Sequence, residues 1–259
     1  MDWAVLFVAG VLGGILNSVA GGGSFITFPA LMFVGVPPIV ANATNTFAAC
    51  AGYLSGAYGF REDIASEKKQ IIRIVLGSLL GGALGAWLLL SVSEQQFLGA
   101  IPWLLLFATL LFIYGHHISA WASRLATHPT REVRLKSVIL TLFLVFVAAY
   151  GGFFNAGLGV IVLSYLVLAG YQNINQMNGL KLLISSAVSL VAIVIFVAEG
   201  AIDWPRGIAV MMGTLSGGYL AARVSRRVAQ QTVKRFVALA SLVMTVYFFI
   251  DVYWPIDEW

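Results

Sequence analysis

Charged residues are scarce in this sequence. Only 10% of its 259 residues are Asp, Glu, Lys or Arg, whereas 60% are hydrophobic and the mean hydropathy is +0.92. In soluble globular domains about a quarter of the residues are charged. The scarcity therefore excludes a soluble domain and predicts an integral membrane protein. At this length we expect one polytopic membrane unit with no additional soluble domain.

Residues that carry enzyme chemistry are scarce too. Cys50 is the single cysteine and lies in an apolar segment, which excludes an intramolecular disulfide and a cysteine-based metal cluster. The interiors of the apolar segments contain no Asp, Glu or His. A membrane-embedded enzyme would need a nucleophile with a positioned base, or a metal. We therefore expect no catalytic residues, no metal and no cofactor.

The basic residues follow a pattern that fixes the orientation in a membrane. The net charge is +4, and all but two of the 15 Lys and Arg residues fall in three clusters. The clusters are Arg61, Lys68, Lys69 and Arg73; Arg124, Arg131, Arg134 and Lys136; and Arg223, Arg226, Arg227, Lys234 and Arg235. Basic loops stay on the cytoplasmic side and face anionic lipid, so we expect no nucleic-acid partner. We predict that loops 59–73, 114–136 and 223–235 are cytoplasmic, with both termini outside.

Hydropathy predicts ten helical segments between these loops. They are residues 3–19, 25–34, 39–58, 71–90, 97–114, 135–154, 160–169, 174–198, 207–222 and 236–252. Most approach the ~20 residues that cross a bilayer, but 25–34 and 160–169 are about half that length. The charge pattern makes each short segment the returning limb of a hairpin.

The two halves of the chain are related in sequence. Residues 77–82 (Gly-Ser-Leu-Leu-Gly-Gly) match 213–218 (Gly-Thr-Leu-Ser-Gly-Gly) at an offset of 213 − 77 = 136. Residues 13–17 match 151–155 at an offset of 138, so the second hairpin turn has two residues fewer. Each half has one hairpin and three crossings, which is an odd number, so the halves must be oppositely oriented. We predict two inverted repeats, 1–117 and 134–259, joined by a cytoplasmic linker, 118–133, in one membrane domain.

The hairpin tips are candidate anion sites. The first contains Gly21, Gly22, Gly23 and Ser24, and the second contains Asn155, Gly157 and Gly159. Non-helical backbone at membrane depth must be buried in protein or line a wet cavity. The half-helix after each tip directs N–H groups and a partial positive charge towards it, which favours an anion. The alternative is that these glycines only permit close helix packing.

A polar stripe follows each hairpin. The first comprises Asn42, Asn45 and Thr46, and the second comprises Asn178, Lys181 and Ser185. A charged side chain inside a span costs ~2.5–3.5 kcal/mol on insertion scales and is by default functional. Lys181 is thus a candidate ligand for an anion, the alternative being that it extends to the cytoplasmic face. Plain hydrogen bonds between helices are the alternative for the amides and hydroxyls.

At these tips and stripes the chain resembles the TauE/SafE sulfite exporter family. The resemblance runs from residues 21–24 through Pro29 and Gly35 to residues 43–45, and continues in residues 178–181, 200–204 and 213–218. It implies transport of a sulfur-containing anion such as sulfite, sulfoacetate or another organosulfonate. Leu158 interrupts the second glycine run and Leu180 stands opposite Thr44, so the two half-sites are expected to contribute unequally.

These patterns together predict a secondary carrier of a small sulfur-containing anion that works by alternating access. The alternatives are an anion channel and a carrier for a non-sulfur organic anion such as a small carboxylate. The expected partners are the substrate anion and the lipid bilayer. A coupling proton and a homodimer are further open expectations.

Overall fold

The computed structural model describes residues 2–19, 21–64, 68–126, 133–224 and 230–254. These residues are all-helical, with no strand among them. The helices are α1 Asp2–Val19, α2 Ser24–Phe33, α3 Pro38–Gly59, α4 Arg61–Ile64, α5 Lys68–Ser91, α6 Glu94–Ala126, α7 Val133–Phe153, α8 Leu158–Leu168, α9 Ile174–Ala198, α10 Trp204–Val224 and α11 Gln230–Tyr253.

The predicted all-α fold is confirmed, and each of the ten predicted segments corresponds to one helix. α4 is an additional single turn in the first basic loop. α6 is the main departure, because it extends beyond the predicted end at residue 114 to Ala126. Hydropathy marks only the part of a helix that lies in lipid, and residues 115–126 contain helix formers but no glycine or proline beyond Gly115. A helix can therefore continue after its hydrophobic stretch has ended.

The chain is a membrane-embedded, multi-pass protein. Within the described part of the chain, four helical stretches are long and apolar enough to cross a bilayer, namely Gln70–Ser91, Glu94–Leu111, Ile174–Ala198 and Arg235–Tyr253. α2 and α8 have ten and eleven residues, which is about half a span, as predicted. The side chains of residues 115–136 and 221–234 lie outside the described part of the chain, so the predicted cytoplasmic position of those basic loops stays a prediction.

α1 packs against α10 through glycines. A β-carbon at Gly213 would lie 2.4 Å from the carbonyl oxygen of Phe7, and one at Gly217 would lie 2.0 Å from that of Val11. Only glycine permits so close an approach of two helices. The contacts advance by four residues along both helices together. α1 and α10 are therefore parallel.

α5 and α7 pack in the same manner. A β-carbon at Gly81 would lie 2.3 Å from the carbonyl oxygen of Val145, and one at Gly85 would lie 2.0 Å from that of Ala149. These contacts also advance together, so α5 and α7 are parallel and both begin at the same end of the molecule. Each of the two helices begins beside a basic cluster.

α3 and α9 run in opposite directions. A β-carbon at Gly56 would lie 2.7 Å from the Leu182 side chain, while one at Gly179 would lie 2.9 Å from the β-carbon of Phe60. Moving forward along α3 thus means moving backward along α9. These two helices are at corresponding positions in the two halves, and antiparallel packing is what an inverted repeat requires.

α6 and α11, which also correspond, are antiparallel as well. The Tyr253 hydroxyl donates to the Gly99 carbonyl at 2.8 Å, and ten residues later in α6 the Thr109 and Thr245 hydroxyls are hydrogen-bonded at 3.1 Å. Thr109 and Thr245 are themselves separated by 136 residues. The inverted repeat and its boundaries stay a prediction, which these helix directions support.

The half-helices of the two hairpins are enclosed by protein. Phe25, Phe28 and Leu31 of α2 are fully buried. The Phe28 ring packs edge-on against Phe154 at 5.4 Å and stacks on Phe248 at 6.3 Å. Broken backbone at membrane depth needs such cover, because lipid cannot satisfy its polar groups.

Candidate functional site

The first tip is a tight turn between α1 and α2. Gly21 has φ +81°, a conformation that side-chain-bearing residues rarely adopt. Its N–H donates to the carbonyls of Leu16 and Asn17 at 3.1 Å, which closes the end of α1. α2 then starts at Ser24, with its N-terminal end at the tip.

The second tip also turns at a glycine with a positive φ. Gly157 has φ +80°, and α8 begins at Leu158, two residues earlier than predicted. The main-chain bonds of this turn come from the amides of Leu158, Val160 and Ile161. The Gly159 amide, in the first turn of α8, takes part in none of the bonds found here among described residues. It is available at the positive end of the half-helix.

The two tips meet. A methyl group added at Gly159 would lie 3.6 Å from the carbonyl oxygen of Gly21 and 3.5 Å from Cδ of Lys181. One added at Gly21 would lie 3.9 Å from Nζ of Lys181. Three of the residues predicted as site residues from distant parts of the sequence are thus neighbours.

Lys181 is buried at this meeting point. Its exposed fraction is 8%, and among the side chains described it is the only charged one that is buried. Nζ lies 3.4 Å from Oδ1 of Asn178, one turn earlier in α9. Lys181 lies two turns after the Asn173 N-cap of α9, and from this position its amine reaches the glycine tips.

Asn42, Asn45 and Thr46 form a separate group. Leu182 packs against Gly56 of α3, which is eleven residues after Asn45, or about 16 Å along the helix axis. Lys181 is therefore level with the end of α3, whereas the first polar stripe lies near its start. The structure does not place the two stripes together in one cluster around Lys181.

The first stripe is almost completely buried, with 1% exposure for each of its three residues. The Asn42 amide donates to the Phe153 carbonyl at 2.9 Å, and Asn45 Oδ1 accepts from the Thr27 hydroxyl. Oδ1 of Asn42 and Nδ2 of Asn45 have no partner among the described residues. Such orphaned polar atoms are uncommon in native cores.

The remaining predicted residues have varied surroundings. Gly22 and Gly23 mainly permit close packing, since β-carbons there would lie 2.4 Å from a Val237 methyl and 2.3 Å from the Gly13 carbonyl oxygen. Ser24 is buried within reach of the Tyr53 hydroxyl. Ser185 is buried in α9, one turn after Lys181.

Tyr53 and Ser189 were not among the predicted site residues. The Tyr53 hydroxyl donates to Asn155 Oδ1 at 2.8 Å, and Asn155 Nδ2 donates to the Ser189 hydroxyl at 3.3 Å. Helical periodicity is the signal that could have found them. Tyr53 follows Thr46 by seven residues and Ser189 follows Ser185 by four, so each continues its polar stripe.

An all-helical, multi-pass chain with two broken-helix hairpins around a buried amine is typical of a membrane transporter. Residues 6–248 match the family model described as "Sulfite exporter TauE/SafE". The chain belongs to this family, as the sequence resemblance predicted.

Curated relatives agree with this class. A "Probable membrane transporter protein" of Haemophilus influenzae is 29% identical over 97% of this chain and 96% of its own length. The "Probable membrane transporter protein YfcA" of Escherichia coli K12 is 26% identical over 95% and 89%. "Probable membrane transporter protein ORF9" of a Sinorhizobium species is 26% identical over 99% and 95%. No solved structure matches this chain. The family and these relatives make the protein a membrane transporter.

Proposed function

We propose that the protein is a secondary transporter that moves a small sulfur-containing anion, sulfite or an organosulfonate such as sulfoacetate, across the bacterial inner membrane. The observation that carries this proposal is the buried Lys181 amine at the meeting point of the two hairpin tips. The reaction is translocation without covalent chemistry, and no enzyme activity is proposed.

The physical argument is charge compensation. A lysine at membrane depth is costly unless an opposite charge neutralises it. An anionic guest at the meeting point of the two tips would supply that opposite charge. The Gly159 amide and the positive ends of α2 and α8 would stabilise the anion's oxygens from two sides. Asn178 would help to orient them.

Alternating access of two inverted repeats is the proposed mechanism. Antiparallel packing of α3 with α9 and of α6 with α11 supports it, as does the parallel pairing of α1 with α10 and of α5 with α7. Because α5 and α7 begin at one end, their basic clusters share one face, which we propose is cytoplasmic. Both termini would then be outside.

Coupling and assembly are part of the proposal. With no carboxylate or histidine buried among the described side chains, a coupling proton would be carried by Lys181 or by the substrate itself. We also propose that the transporter can form a homodimer in the lipid bilayer.

The test is anion binding by purified protein. Sulfite, sulfoacetate, sulfate and lactate are titrated into the wild type, Lys181→Ala and Lys181→Met, with thermal stabilisation as the readout. Hydrogen bonds to charged groups are worth about 1.5–3 kcal/mol, so both variants should weaken binding roughly tenfold or more while remaining folded. Arg206→Met is the matched control, because Arg206 pairs with Asp203 at the start of α10, away from the tips.

Wild-type affinity in Lys181→Met would refute the proposed site. Binding of lactate in place of the sulfur anions would favour the carboxylate carrier. Large conductive currents in proteoliposomes, in place of saturable flux, would favour the anion channel.

A further inference from the structure

Tyr53, Asn155 and Ser189 form a buried network that connects three elements. Asn155 lies in the second tip, Tyr53 in α3 and Ser189 in α9. The exposed fractions are 6% for Tyr53, 2% for Asn155 and 0% for Ser189. Tyr53 donates to Asn155 Oδ1 at 2.8 Å, and Asn155 Nδ2 donates to Ser189 at 3.3 Å.

The network changes the role expected for Asn155. Both polar atoms of its amide already have partners in the protein, so its first task is to hold the tip and not to bind an anion. Gly159, which contacts Gly21 and Lys181, follows four residues later. Tyr53 and Ser189 therefore position the second tip at the candidate anion site.

The repeat offset adds a second relation. Tyr53 and Ser189 are separated by 189 − 53 = 136 residues, the offset that relates the two halves. Asn155 corresponds to Asn17 of the first tip at the 138-residue offset of that block. Exchanging the halves therefore exchanges Tyr53 with Ser189 and Asn155 with Asn17. In the exchanged arrangement the same pair of hydroxyls would serve the first tip.

Asn17 is the residue of the first tip that corresponds to Asn155. It is half-buried, and no hydrogen bond of its amide side chain is found among the described residues. The Tyr53 hydroxyl nevertheless faces the first tip as well, within reach of Ser24. Tyr53 thus lies between the two tips while its hydroxyl is bonded to the second.

We infer that Tyr53 and Ser189 are positioning residues that hold the asparagine of one hairpin tip at a time, Asn155 in this conformation and Asn17 in the opposite-facing one. The inference rests on the proposed alternating access. A tyrosine hydroxyl has one proton to donate, so Tyr53 can donate to the Oδ1 of only one of the two asparagines at a time. Transfer of this donor bond between Asn155 and Asn17 would keep the two conformations close in energy.

The test measures conformational populations without any anion. Cys50→Ala removes the single cysteine, and spin labels at Tyr58→Cys and Gln172→Cys report the distance between the end of α3 and the second hairpin; both positions are exposed. In liposomes, Asn155→Ala should deplete the distance of this structure and Asn17→Ala should enrich it. Each inter-helix hydrogen bond that is removed should change the population ratio by about threefold, so Asn155→Ala, which removes the bonds to Tyr53 and Ser189, should have an effect of threefold or more.

Opposite shifts are the decisive result, because a merely structural role would shift both variants in one direction or neither. Tyr53→Phe should greatly reduce the effect of both asparagine variants, whereas Tyr253→Phe, which deletes a hydroxyl bonded to Gly99 near the start of α6, should preserve it. Unchanged or like-signed shifts would overturn the inference. Anion binding is measured separately through Lys181, so that failure would leave the proposed substrate site standing.

Discussion

The two hairpins have the same backbone conformation at their turns. Gly21 and Gly157 have φ +81° and +80° at the tips, and Gly35 and Gly170 have φ +81° and +97° after the half-helices. Both half-helices also end with the same pair of hydrogen bonds, a Schellman motif that requires a left-handed residue. The geometry of one half is thus repeated in the other, although few side chains are the same.

The side chains next to that backbone differ. Lys181 corresponds to Asn45 at the 136-residue offset. Lys181 reaches both tips, whereas Asn45 is bonded to Thr27 and keeps one polar atom without a partner among the described residues. The comparison teaches that the two halves have the same backbone geometry, while the one buried charge among the described side chains lies in the second half.

Replacing a packing glycine by alanine should cause the largest loss of stability, and the loss should be similar in the two halves. Gly81→Ala and Gly217→Ala each place a methyl within 2.3 Å or less of a backbone carbonyl in the adjacent helix. Backbone cannot give way as a side chain can, so we expect a loss of about 2 kcal/mol or more from each. Thermal unfolding in detergent measures it.

Gly52→Ala and Gly99→Ala are the controls for this experiment. Both are helical and have open space where the methyl would lie. Because alanine is the better helix former by ~1 kcal/mol, these variants should be neutral or slightly stabilised. A strong effect at only one of Gly81 and Gly217 would break the proposed equivalence of the halves.

The tip glycines should differ between the halves. Alanine at either position is strained by the positive φ, by roughly 1–2 kcal/mol. At Gly157 the added methyl would also lie 2.6 Å from the Ala108 side chain, whereas at Gly21 the nearest atom, Lys181 Nζ, is 3.9 Å away. Gly157→Ala should therefore lower the melting temperature more than Gly21→Ala. The reverse order in matched unfolding curves would contradict the difference in space between the tips.

Removing the Thr109 and Thr245 hydroxyls should have the smallest effect on stability. It tests most directly whether two positions related by the 136-residue offset interact. Their hydroxyls are buried and bonded to each other at 3.1 Å. Inter-helix hydrogen bonds in membranes average ~0.6 kcal/mol, so Thr109→Val, Thr245→Val and the double variant should yield a coupling energy near that value. A double-mutant cycle with no measurable coupling would show that these equivalent positions do not interact in the membrane.

Hydropathy and charge predicted most of the fold because lipid allows few solutions. A chain in a bilayer must satisfy its backbone within helices, so apolar stretches translate directly into helices. The ten segments, including the two half-length ones at α2 and α8, follow from that constraint. The length of α6 could not be predicted in this way, because its last turns lie outside the hydrophobic signal.

The candidate site was predicted in composition more than in arrangement. Gly21, Gly159, Asn178 and Lys181 lie close together, while their role in binding stays a prediction. Asn42 and Asn45 were expected beside them, but the antiparallel packing of α3 and α9 places them near the other end of α3. Tyr53 was missed because hydropathy treats a tyrosine in a membrane span as apolar when the partner of its hydroxyl is unknown.

By itself, the sequence determined that the chain lies in lipid, where its helices break, and that one amine sits deep in the second half. Those outcomes depend on whether each residue is solvated by lipid or by water, and this follows from the composition of the sequence and the spacing of its apolar residues. Only the tertiary structure decided which tips touch that amine and which amides keep unpartnered atoms. Such contacts join residues more than a hundred positions apart, and they are set by how closely glycine-lined helices can pack.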